Sequence, residues 1–91
     1  MSTNSNAQFD IAEYEKWDVA AKHKLQEIIH QLRSERIRRK ISQRQLGALL
    51  DIPQPRISEI ERMNGEVSLM RICLIAAALG MELLLTDLEK T

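Results

Sequence analysis

The basic side chains of this 91-residue chain are gathered largely in one place. Eight of its thirteen Arg and Lys residues lie between positions 33 and 62, against Glu35, Asp51, Glu59 and Glu61. That third carries +4, while residues 1–32 and 63–91 each carry −2 and the whole sums to zero. Cations concentrated on one stretch suit phosphate, and the local field counts for more than the total charge. Arg33, Arg36, Arg38, Arg39, Lys40 and Arg44 form the reservoir; taken alone, the run would be only a solvated helix face. The other groups with chemistry to offer are poorly placed for it. His23 and His30 stand seven apart on one helix face with no third ligand at a suitable spacing, so a solvated face is expected and no metal. Cys73 is the sole cysteine and lies in an apolar segment, where a core position is expected. It rules out an intramolecular disulfide and fits a reducing cytoplasm. There is no Gly-rich phosphate loop and no nucleophile–His–acid arrangement, so neither an enzyme nor a cofactor is expected.

The elements that must hold these cations are helical. The composition, 44% hydrophobic with Phe9, Tyr14 and Trp17 as its only aromatics, allows one small aliphatic core and one domain. Residues 1–8 are polar, without periodicity, and read as disordered. From Asp10 to about Lys40 no Pro or Gly interrupts a helical pattern with Leu25, Ile28, Ile29 and Leu32 on one stripe. One long helix or two would satisfy it. Ser42 with Gln45 is a capping-box pattern and opens the next helix, with Leu46, Leu49 and Leu50 inward. Asp51 stands where the chain must turn, and tolerates a left-handed backbone better than most residues. Pro53 and Pro55 fall in the first turn of a third helix, where their missing N–H groups cost nothing. Asn64-Gly65 ends it. Ser68 caps a fourth helix, closed by Gly80, that is apolar nearly all round and needs cover on a second face. Met81, Leu83 and Leu85 then alternate as a short strand, which cannot stand alone. No signal peptide and no membrane span are expected.

Residues 42–62, SQRQLGALLDIPQPRISEIER, hold two short helices about a tight turn, with Leu46 against Ile57 and Gly47 small enough for close approach. This stretch resembles the Cro/C1-type (XRE) helix-turn-helix family. The resemblance rests on Ser42-Gln43, Leu46-Gly47, Ile52, Gln54, Ile57-Ser58, Glu61-Arg62 and Asn64-Gly65, with Leu32-Arg33 and Arg36 upstream, and covers roughly residues 25–80. It departs from the family pattern at Asp51, where Gly is usual, and at Pro53, where Ser or Thr is usual. The resemblance implies an all-α, four- to five-helix, lambda-repressor-like DNA-binding domain on residues 25–80. It also implies an N-terminal extension, 1–24, and a C-terminal strand and tail, 81–91, paired across a dimer. It implies base contacts by Gln54, Pro55, Arg56, Ser58 and Glu59. Gln suits adenine, Arg56 guanine or phosphate, Pro55 a thymine methyl and Glu59 a cytosine amine. Gln43 joins Arg33, Arg36, Arg39, Lys40 and Arg44 on phosphates.

The function implied by the resemblance is that of a cytoplasmic, sequence-specific repressor. It would act as a homodimer on a palindromic stretch of double-stranded DNA, with Met70, Leu74, Ala77, Ala78, Met81, Leu83 and Leu85 as dimer contacts. The strand MELLL resembles that of HipB-type antitoxins, and small one-domain members of the family, HipB- or HigA-like, often serve as antitoxins. An antitoxin of a toxin–antitoxin pair, binding its toxin through the N-terminal segment, is therefore a second expectation, and a restriction–modification controller a third. Phe9, Tyr14 and Trp17 fit either local packing or a partner protein.

Overall fold

The computed structural model describes residues 8–86 and contains four helices. These are α1 (Ile11–Arg38), α2 (Gln43–Leu50), α3 (Gln54–Glu61) and α4 (Leu69–Ala78). The N-terminal expectation for residues 1–7 and the tail at 87–91 lie outside the described residues.

The segment from residue 10 to 40 forms one helix. Asp10 caps it, its carboxylate accepting from the Ala12 and Glu13 amides at 3.0 and 3.3 Å. Lys22–Asp18 and Lys24–Glu27, both at 2.9 Å, tie successive turns together. At 28 residues the helix spans about 42 Å. Only its C-terminal part meets the core: Ile29, Leu32 and Arg36 are buried and Leu25 and Ile28 half-buried, so residues 11–22 project as an arm.

The helix stops follow one pattern. At the end of α1 the Ile41 N–H donates to Arg36 O and that of Lys40 to Ile37 O, with Lys40 left-handed at φ 59°. The end of α3 repeats it with Met63 at φ 57°, and the end of α4 with Gly80 at φ 73°. These bonds satisfy the last carbonyls, which no longer find helical donors. The α3 stop comes before Asn64-Gly65, on a methionine that no local rule marks. Asp51 closes α2 at φ 57°, ψ 45°, as its residue type suggested. A left-handed side chain carries strain that glycine avoids. Asp51→Gly should therefore raise stability by up to about 1 kcal/mol in urea unfolding, after the loss from the freer unfolded chain.

Leu46, Ile52, Ile57, Ile60, Ile72, Ile75, Ala76 and Leu79 close one core with Ile29 and Leu32. The face of α4 carrying Ile72, Ile75, Ala76 and Leu79 is inside; Leu69, Met70, Cys73, Leu74, Ala77 and Ala78 are outside. Cys73 thus corrects the expectation of a core cysteine: its position on the 3.6-residue turn lies among the uncovered residues. The expected strand is also corrected. Residues 81–86 have no regular secondary structure, and no strand occurs among the described residues. A strand needs ladder partners, and a single chain supplies none. Met81 and Leu83 instead pack against the chain's own core, leaving Leu84 and Leu85 exposed.

Candidate nucleic-acid interface

The two short helices at the centre, α2 and α3, meet closely because of Gly47. Its carbonyl accepts from the Ile52 amide at 2.8 Å, and an added Cβ would lie 2.3 Å from Ile52 O. Leu46 and Ile57, each 1% exposed, fill the angle between the helices. α2 begins on the capping box: Ser42 Oγ accepts from the Gln45 amide at 3.0 Å and Gln45 Oε1 from the Ser42 amide at 2.8 Å. The amides of Gln43 and Arg44, next in the first turn, have no carbonyl of the helix to reach.

A polar chain crosses the angle between these helices. Arg36, 7% exposed, donates two bonds to Glu61, from Nε to Oε2 at 2.6 Å and from Nη2 to Oε1 at 2.9 Å, and a third from Nη1 to Ile41 O at 2.8 Å. Gln43 Nε2 donates to Glu61 Oε1 at 3.0 Å, and Gln54 Nε2 to Gln43 Oε1 at 2.7 Å. The direction of the chain is forced. A carboxylate can only accept, so Gln43 must turn its amine to Glu61 and its oxygen to Gln54. Gln54 spends one N–H on that contact and keeps one N–H and its oxygen free. This pair, one donor beside one acceptor, matches the N7 and N6 edge of adenine. Among the described residues no buried side-chain N or O atom lacks a partner.

Arg36 was expected on phosphates; in the structure it stands elsewhere. It is inside, with its guanidinium committed to Glu61 and Ile41. The reason is phase: Arg36 lies one turn past Leu32 on the stripe that faces the core. The other cations divide. Arg33 stays exposed, its Nε 3.7 Å from Glu61 Oε1, beside the polar chain. Arg44 is exposed on α2 one residue past Gln43. Arg39 pairs with Glu35 at 2.6 Å and lies against Gly80 at the end of α4. Arg38 holds the same carboxylate, and these two guanidinium groups pull the Glu35 carboxyl down to about 2. Lys40 borders an open hollow with Ile41, Gln45, Ala48 and Leu49, on the flank of α2 away from Gln43. Arg33, Gln43 and Gln54 are therefore gathered at Glu61, Arg44 stands exposed one residue past Gln43, and Arg39 and Lys40 are outside that group.

On α3 the open face carries Gln54, Pro55, Ser58, Glu59 and also Arg62, whose Nη1 donates to Ser58 Oγ at 2.8 Å. Arg56 is half-buried and turned aside, donating to Glu59 at 3.3 Å and to Glu66 O in the α3–α4 loop. Two residues were missed in the sequence. Arg62 follows Ser58 by four and Gln54 by eight, a spacing that marks it. Glu61 is the hub of the polar chain, and its partner Arg36 sits at an inward register with no apolar side chain.

Among the described residues there is no group of three His, Cys, Asp or Glu placed to hold a metal ion, and no helix long and apolar enough to cross a membrane. A family model described as Helix-turn-helix matches residues 32–85, which takes in α2, α3, α4 and the last turns of α1 and leaves the arm outside. No curated protein and no solved structure matches the chain.

Proposed function

The chain belongs to the Cro/C1-type helix-turn-helix family of DNA-binding transcription regulators, and from that premise we propose that it is a sequence-specific repressor binding a two-fold operator as a homodimer. The observation that carries this is the Arg36–Glu61–Gln43–Gln54 chain. It presents the Gln54 amide at the open end of α3 in a fixed orientation, with one donor and one acceptor outward. Pro55, Ser58, Glu59 and Arg62 follow on the same face, Pro55 offering apolar contact to a thymine methyl. Arg56 reaches a base only by releasing Glu66. Gln43, Arg33 and Arg44 hold the backbone, with the free amides at the start of α2 aimed at a phosphate.

Dimerisation uses the outward face of α4, where Met70, Leu74, Ala77 and Ala78 stand with Leu69 and Cys73. Leu84 and Leu85, both exposed, extend that surface. Such a dimer sets two α3 helices about 34 Å apart, one turn of DNA. A protein seated there blocks polymerase.

The test is binding to the upstream DNA of its own gene over a salt series. Gln54→Ala should lose about 1–3 kcal/mol of preference for the operator over random DNA. Arg33→Ala should weaken all DNA alike and lower the salt slope by about 1. Equal affinity of the unaltered protein for operator and random sequence would refute sequence-specific repression.

A further inference from the structure

The apolar stripe of α1 does not stop where the core stops. Leu32, Ile28 and Leu25 meet the domain, and at the same angular position Ala21, Trp17, Tyr14 and Ile11 carry the stripe up the arm, interrupted by Asp18, whose carboxylate is held by Lys22 at 2.9 Å. Among the described residues only Phe9 lies against it, its ring centroid 5.5 Å from that of Tyr14, and the stripe stays open: Ile11 is 63% exposed, Tyr14 50% and Trp17 62%. The charges beside the stripe are ordered. On the helical wheel Glu13 and Lys24 border one edge, and Glu15 and Lys22 the other. Along the axis, residues 10–18 carry Asp10, Glu13, Glu15 and Asp18 against Lys16, net −3, whereas residues 19–26 carry Lys22 and Lys24 with no acid, net +2. A helix acidic at one end and basic at the other complements a reversed copy of itself.

We propose that the arms of two copies pair antiparallel, about a two-fold axis passing between Asp18 and Val19. In an antiparallel two-fold pair each edge meets its own counterpart. That axis sets Glu13 opposite Lys24 of the second copy on one edge and Glu15 opposite Lys22 on the other. A single register satisfies both. The same register lays Trp17 over Ala20 and Ala21 of the second copy and Tyr14 between Ala21 and Leu25, large against small. A parallel pair would put acid on acid. Large rings fringed by charge are what association surfaces concentrate.

Trp17 is the only tryptophan, so its emission reports the arm directly. The intact protein, without DNA, is followed by fluorescence and sedimentation across a concentration series. Trp17 emission should move to the blue and acrylamide quenching should fall several-fold as the protein associates. Lys22→Glu with Lys24→Glu should raise the concentration needed about tenfold. Adding Glu13→Lys and Glu15→Lys to that variant should bring it back, with far-UV helicity checking that each arm stays folded. A dimer held by α4 alone leaves Trp17 wet. Emission of a solvated indole in protein that sediments as a dimer would overturn the pairing and assign the stripe to a different protein.

Discussion

Arg36→Ala should cost about 3 kcal/mol of folding stability, because it leaves the nearly buried Glu61 carboxylate without its bidentate partner and with only the more distant, exposed Arg33 at 3.7 Å. Domains of this size have roughly 5–15 kcal/mol in all, so the urea midpoint should fall sharply. The salt slope of DNA binding by the fraction that remains folded should stay as it was. A surface arginine on a phosphate predicts the reverse: unchanged stability and a slope lower by about 1. One variant, measured both ways, therefore decides where Arg36 works. The paired substitution Arg36→Met with Glu61→Leu separates structure from recognition. With both charges gone the core keeps its volume and no charge is left unpaired, so stability should largely return, less the bonds that Gln43 and the Ile41 carbonyl give up. The chain that orients Gln43 and Gln54 is gone as well. Operator preference should then fall by about 1–3 kcal/mol in a folded protein.

Arg36 also shows where the sequence could be read and where it could not. Periodicity marked the stripe Leu25, Ile28, Ile29, Leu32 and therefore the next inward position, but a cation there reads as surface unless its buried partner is known. That partner, Glu61, lies 25 residues away, and local pattern says nothing about such a distance. Contacts set by nearby residues fared better. The Ser42–Gln45 box, the left-handed Asp51, the Ser68 cap and the Leu46–Ile57 angle depend on neighbours in the chain or on one helix crossing, and each stands in the structure. Met63 was not legible, because its left-handed stop is imposed by where α3 must end against the core and not by residue type. The second face of α4 was legible as an excess of apolar residues, although which side Cys73 occupied depended on its phase.

Gly47→Ala should destabilise the domain although it sits inside a helix. In the interior of an exposed helix the same exchange gains about 1 kcal/mol, since alanine is the better helix former. Here the new Cβ would stand 2.3 Å from Ile52 O and 3.5 Å from its carbonyl carbon. Both are backbone atoms, so no rotamer relieves the contact, and the same Ile52 is bonded through its amide to Gly47 O. The turn at 51–53 has to move, and with it the start of α3. Overpacking of this kind costs about 1–3 kcal/mol, enough to reverse the gain from propensity. Ala48→Gly, one residue on and exposed, is the control: it should lose about 1 kcal/mol through propensity alone. Opposite exchanges at adjacent positions should thus both lower the urea midpoint. They should part on DNA. Gly47→Ala displaces Gln54 relative to Gln43 and should lose about tenfold in operator preference, roughly 1.4 kcal/mol, with non-specific binding retained. Ala48→Gly touches neither glutamine, and the protein that remains folded should discriminate as before. A stabilised Gly47→Ala protein would mean that α2 and α3 do not meet at this glycine, and the fixed geometry of Gln54 would fall with it.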